Sequence, residues 1–143
     1  MSAREYPDRP WVGIGLICLH GDDVLLVRRG RPPRIGEWSI PGGAQHLGET
    51  AEAAARRELR EEAGIEVGPL ALAACVDVVQ RDDAGAVRFH YTIVDFAARW
   101  AAGAPTPGDD VTEARFFAPD ELPALGLWSE AIRVIAEARR LLA

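Results

Sequence analysis

Three glutamates, Glu58, Glu61 and Glu62, stand at i, i+3 and i+4 in the run Arg57-Glu58-Leu59-Arg60-Glu61-Glu62-Ala63-Gly64-Ile65. On a helix that spacing gathers their carboxylates within an arc of roughly 100°. Exposed like charges so placed repel by a few tenths of a kcal/mol per pair. Two arrangements tolerate this. Either the face is solvated, with Arg56, Arg57 and Arg60 forming ion pairs along it, or cations sit between the carboxylates. The second opens the chemistry of a hard divalent ion, Mg²⁺ or Mn²⁺, which takes oxygen ligands.

The segment in front of the helix bears on the choice. Pro41-Gly42-Gly43 opens a loop, Gly48 closes it, and Glu49 and Thr50 start the helix, with Thr50 as its N-cap. Two adjacent glycines let a backbone carbonyl approach a helix as closely as a metal-ligating oxygen must. Ala51, Ala54 and Ala55 put small side chains where the loop would fold down.

Gly43, Glu49 and Arg57-Glu58-Leu59-x-Glu61-Glu62-x-Gly64-Ile65 fix nine positions over 23 residues. In these the chain resembles the box of the Nudix hydrolases, with no departure at a defining position. The resemblance implies an α/β fold, a Nudix-type α/β/α sandwich with a central mixed sheet, as one domain over 1–143 with an N-terminal arm at 1–10. It implies a Mg²⁺-dependent hydrolase (Mn²⁺ being the other candidate) that cleaves a pyrophosphate linkage. Carried over residue by residue, it makes Glu58 and Glu62 the principal metal ligands, with the Gly42 carbonyl beside them. Glu61 becomes a further ligand or a group that orients water. Arg57 and Glu49 form the ion pair that holds the box loop to its helix. Glu61, Glu58, Arg57 and Glu49 are thus the catalytic set. Many relatives recruit one more carboxylate from a late loop. Asp109, Asp110 and Glu113 occupy that region here, and Asp110 and Glu113 are preferred.

The elements that must position these groups follow from patterning. Trp11 to Leu19 is an almost unbroken apolar run, expected as a strand buried on both faces. A turn at 20–23 leads into a second strand, Val24 to Val27. Arg28, Arg29, Arg31 and Arg34 then lie in or beside the rigid loop Gly30-Arg31-Pro32-Pro33-Arg34. Guanidinium groups match phosphate oxygens in bidentate geometry, so Arg28, Arg29 and Arg34 are candidate substrate contacts. Residues 36–40 are a short extended approach to the glycine loop. After the box, 70–80 and 87–96 read as strands joined by the turn Asp82-Asp83-Ala84-Gly85, a long hairpin. A Pro/Gly loop at 102–111, a short strand at 113–117, a turn at 119–123 and a helix from Ser129 to Leu142, capped by Ser129, complete the chain.

The whole chain narrows the partners. Its 143 residues, 48% hydrophobic and 27% charged, are a globular composition able to bury a core. A net charge of −6 argues against a nucleic-acid polymer as partner, since phosphate backbones call for a basic surface. A small nucleotide stays open, because bound divalent ions invert the local field. Cys18 and Cys75 sit in apolar runs and are expected as buried thiols of a cytoplasmic protein. There is no charged-then-apolar leader and no membrane-length apolar run. The apolar strands and the arm could support a homodimer.

Substrate choice rests on the weaker parts of the resemblance. The downstream proline of one ADP-ribose group, the tyrosine of dinucleoside polyphosphate enzymes, and the coenzyme A and NADH signatures are all missing. The look of HYTIVDF followed by EARFFAPDELP is similar to small bacterial proteins assigned as ADP-ribose pyrophosphatases. ADP-ribose, split to AMP and ribose 5-phosphate, is the favoured substrate. The alternatives are a nucleoside triphosphate pyrophosphohydrolase that clears damaged nucleotides and a non-catalytic nucleotide-sensing module. Trp38, Trp100, Phe89 and Tyr91 are candidates to stack on a base.

Overall fold

A computed structural model describes residues 4–32 and 34–143. Residues 1–3 of the expected arm and Pro33 of the arginine loop lie outside the described residues. The apolar run read as a doubly buried strand is β1 (Trp11–His20), the middle of an eight-stranded sheet. Two further strands, β2 (Asp23–Arg29) and β3 (Trp38–Ser39), follow it, and β4 (Gly42–Ala44) leads to helix α1 (Ala51–Ala63). Next come β5 (Glu66–Val67), β6 (Ala71–Arg81), β7 (Val87–Ala102) and β8 (Val111–Phe117), then helix α2 (Ser129–Leu141). β1 pairs in parallel with β7, and antiparallel with β4 near its start and with β2 at its end. β2 passes the pairing on to β3 and β8, and β7 to β5 and β6. One parallel pair among antiparallel ones makes the sheet mixed.

Strand alternation explains why β1 is apolar throughout. Ile14, Leu16 and Cys18 face α1 and meet Ala54, Ala55, Leu59 and Ala63. Ile17 and Leu19 face the other way, toward Val134, Ile135 and Ala138 of α2. Helix, sheet, helix is the layering expected from the sequence. α1 begins where Thr50 Oγ1 accepts a hydrogen bond from the Ala53 N–H at 3.1 Å, and ends at Gly64 in the left-handed conformation, φ 66°.

Some local expectations are corrected. Ser129 is the first helical residue of α2; Trp128 holds the cap position, with no side-chain hydrogen bond. The apolar spacing of Ala131, Val134, Ile135 and Ala138 sets the start of this helix, and the serine follows it. Cys75 is exposed and only Cys18 is buried, because alternation gives the inward place to Val76. His20, expected in a turn, ends β1 and stacks on Trp100 with ring centroids 4.3 Å apart. β7 continues past Phe96 to Ala102 although its last residues are mostly alanine, a poor strand former. Pairing with β1 as far as Arg99 and with β5 beyond it holds them extended. The turn expected at 119–123 is a 3₁₀ segment, Pro119–Leu125. Among the described residues no helix is long and apolar enough to cross a membrane.

Candidate active site

β4 lays the glycine loop against α1. Its register sets Gly43 opposite Ile14 and Gly42 opposite Gly15. A Cβ on Gly43 would stand 2.5 Å from Glu58 Oε1, so glycine is what lets this backbone and that carboxylate touch. Glu58 and Glu62 are 8% and 6% exposed, turned inward from the helix, while the Glu61 side chain is half-exposed. Glu58 and Glu62 are near enough for their carboxylates to act on each other. Burial first, then the neighbouring Glu58 carboxylate, then the charge of Asp110, raise the Glu62 carboxyl far above the usual carboxylate range. A hydrogen bond from the Gly42 N–H pulls the other way.

Arg57 ties loop to helix. Its Nε and Nη2 donate to the two oxygens of Glu49 at 3.0 and 2.7 Å, and Nη2 also donates to the Ala44 carbonyl at 3.1 Å. Nη1 donates to Glu58 at 2.9 Å and to Glu61 at 3.2 Å. The fork from Arg57, with a backbone bond from the His46 N–H, holds the Glu49 carboxyl down at about 2. The other two arginines of the run leave the glutamates alone. Arg56 donates to the Val67 and Gly68 carbonyls, and Arg60 pairs with Glu66. No arginine of α1 therefore pairs with Glu62, and a merely solvated face does not describe two buried carboxylates.

The late loop reaches the site by capping this helix. The Thr106 N–H donates to the Ala63 carbonyl at 2.9 Å, and the Gly108 N–H to the Glu62 carbonyl at 3.1 Å. Both are last-turn carbonyls without a partner inside the helix. The loop then turns at Asp109, φ 54°, and sets Asp110 in the wall of a cavity of about 100 Å³ with Glu62, Gly42, Ser39, Ile40, Arg29 and Arg31. Asp110 and Glu113, equal in the sequence, are thus separated. Glu113 accepts from Arg28 Nη1 at 2.8 Å, and Arg28 Nε donates to the Gly36 carbonyl. Arg28 and Glu113 bind each other rather than lining the cavity. Arg34 lies 3.8 Å from Glu37. Of the arginines chosen as substrate contacts only Arg29 lines the cavity; Arg31, 3.7 Å from Asp110, joins it. The stacking candidates Trp38 and Trp100 pack on Phe117 and His20.

Among the described residues no three His, Cys, Asp or Glu side chains converge as a ready-made cage. The donor set nevertheless fits a divalent cation. Two inward-turned carboxylates lie together beside a loop whose Gly43 leaves room for Glu58, and a divalent cation between them would favour both in the ionised form. Glu58 and Glu62 would be the holders, with Glu61 and Asp110 near by.

Comparison with known proteins adds an independent line. A profile of the family described as NUDIX domain matches residues 9–138. An ADP-ribose pyrophosphatase of Methanocaldococcus jannaschii is 32% identical over 123 residues, covering 86% of this chain and 70% of that protein. A putative 8-oxo-dGTP diphosphatase 2 of Mycobacterium tuberculosis is 49% identical over 55 residues only, 38% of this chain and 39% of that one. Among solved structures, a MutT NUDIX hydrolase from Burkholderia pseudomallei superposes with a TM-score of 0.78 at 28% identity, covering 91% of this chain and 98% of its own.

Proposed function

The chain belongs to the NUDIX family of pyrophosphohydrolases, and from that premise we propose that it cleaves the diphosphate bridge of a nucleoside diphosphate derivative, ADP-ribose to AMP and ribose 5-phosphate, with Mg²⁺. The observation that carries the choice is likeness to an ADP-ribose pyrophosphatase over 86% of the chain. In the reaction the oxygen of a water bonds to one phosphorus, the bond from that phosphorus to the bridging oxygen breaks, and the bridging oxygen leaves with the other phosphate. Divalent ions, when bound, neutralise the diphosphate charge that repels the incoming oxygen and lower the pKa of a coordinated water.

The chain's own residues supply the rest. Glu58 and Glu62 would hold the cation from the inward face of the helix, and the Gly42 N–H favours the ionised form of Glu62. Glu61, half-exposed and steered by Arg57, orients the attacking water. Arg29 and Arg31 offer guanidinium donors to phosphate oxygens across the cavity from Glu62. Arg57 and Glu49 keep the loop on the helix so that the carboxylates stay in place.

A second reading, a nucleoside triphosphate pyrophosphohydrolase, is favoured by the shorter likeness to an 8-oxo-dGTP diphosphatase. Product analysis separates the two. With Mg²⁺ and a panel of ADP-ribose, sugar nucleotides and nucleoside triphosphates, AMP plus ribose 5-phosphate supports the first. Nucleoside monophosphate plus inorganic pyrophosphate supports the second. Tight binding of one ligand with no turnover on any would leave a sensing module.

A further inference from the structure

One row of the sheet joins Gly42 of the cavity wall to Asp95, a residue with no part in the proposed hydrolysis. Gly15 of β1 pairs with Asp95 of β7 on one side and with Gly42 of β4 on the other, so the three stand in line across the strands. Two strand spacings make this row about 10 Å long. Alternation turns Asp95 to the α2 face, between Ile93 and Ala97, which both belong to the core beneath α2. There it is only 6% exposed. No donor among the described residues hydrogen-bonds to its carboxylate, and the one cation acting on it is Arg133 of α2. That guanidinium is itself engaged by Glu130 at 2.6 Å.

Gly15 and Gly42 carry no side chains, so the row itself leaves space beside Asp95. The carboxylate leans into this gap. A Cβ on Gly15 would stand 2.1 Å from Asp95 Oδ1 and 3.6 Å from Cγ2 of Ile40. Ile40 in turn lines the cavity that holds Glu62, Gly42, Arg29 and Asp110. A largely buried carboxylate with no protein donor, its oxygens still touched by solvent, costs the fold more than an apolar residue at the same place would. An acceptor without a protein donor, sharing the space over Gly15 with Ile40 and lying one strand from Gly42 of the cavity wall, is suited to a ligand that brings the donor.

We propose that Asp95 binds substrate, its carboxylate accepting a hydrogen bond from an N–H or O–H group of the nucleoside part, about 10 Å along the Asp95–Gly15–Gly42 row from the diphosphate. The inference rests on the reading of the site as a hydrolase of nucleoside diphosphate derivatives and adds a contact that selects the substrate. An amino group on the base and a hydroxyl on the sugar offer the same chemistry, and one analogue tells them apart.

The experiment compares the wild type with Asp95→Val, which keeps the size and the strand preference but has no acceptor, and with Asp95→Asn, which keeps one acceptor oxygen. Steady-state kinetics with Mg²⁺ and ADP-ribose are set beside calorimetric binding of ADP-ribose in EDTA. Loss of a hydrogen bond to a charged acceptor predicts a rise of about ten- to hundredfold in KM and Kd for Asp95→Val. Asp95→Asn lies between, kcat changes little, and both variants are at least as resistant to urea as the wild type. If the donor is the base amine, an analogue carrying a carbonyl in its place costs the wild type as much as the valine substitution does. If it is a sugar hydroxyl, that analogue binds the wild type normally. Wild-type KM and Kd in Asp95→Val would overturn the contact while leaving the proposed activity standing. A wild type inactive on the whole panel would instead remove the proposed activity.

Discussion

Replacing Asp95 by asparagine should stabilise the protein, by an amount that depends on pH in a defined way. Burial holds this carboxyl up at about 6, against an ordinary 3.8, and the charge of Arg133 offsets only part of that. The folded chain therefore keeps the proton to a higher pH than the unfolded chain does. Its stability falls as pH rises from about 4 to about 6 and is level beyond, as far as this group is concerned. The difference between the two values corresponds to about 3 kcal/mol at pH 8, and because the side chain is almost wholly buried little of it is lost to solvent screening. Asparagine has nearly the shape of the protonated acid and carries no charge at any pH. Urea unfolding in EDTA at pH 4, 6 and 8 should then show the variant level with the wild type at pH 4 and about 3 kcal/mol ahead at pH 8. Taking the difference between the two proteins cancels other titrating groups. An advantage of the same size at pH 4 and pH 8, or none at pH 8, would refute the claim that a buried, unpaired charge is the cause.

Three other outcomes test the site. Glu62→Gln should lower kcat by roughly a hundredfold or more with unchanged circular dichroism, and the rise in Tm that Mg²⁺ gives the wild type should shrink; wild-type turnover would remove the metal argument. Gly43→Ala should fold, since the clashing atoms are the end of a flexible glutamate, but should weaken Mg²⁺ binding by about tenfold in a calorimetric titration because Glu58 must move. Arg57→Lys cannot reproduce the fork on Glu49 together with the Ala44 bond, and should cost about 1–3 kcal/mol in urea unfolding along with most activity.

What the sequence made legible was whatever local spacing encodes. The apolar run of β1, the Thr50 cap, the Gly64 stop and the three-glutamate face all follow from neighbours a few residues apart, and the layering follows from them. What it hid depends on partners far along the chain. Asp110 and Glu113 look alike until β8 pairs with β2 and brings Arg28 to Glu113, leaving Asp110 to the cavity. Arg34 was as good a phosphate ligand as Arg29 until Glu37 stood beside it. Asp95 gave no signal, because one acid in a strand of β-branched and aromatic residues reads as an outward-facing position. Only the strand register, which aligns it with Gly15 and Gly42, and its burial on the α2 face single it out. The two glycines at 13 and 15 were the available hint, since glycine inside a strand often marks close approach.

The loop from Gly103 to Asp110 is fastened to the last carbonyls of α1, so the separation between helix end and loop acid is a fixed dimension of the molecule. A Cβ on Gly108 would meet the Glu61 carbonyl at 2.3 Å, which leaves the fastening no slack. Insertions there would be felt at Glu62, whereas the 82–86 turn satisfies its hydrogen bonds within itself and with Tyr6. A designer who wanted to graft new recognition onto this scaffold should lengthen that turn and leave the 103–110 loop at its present length.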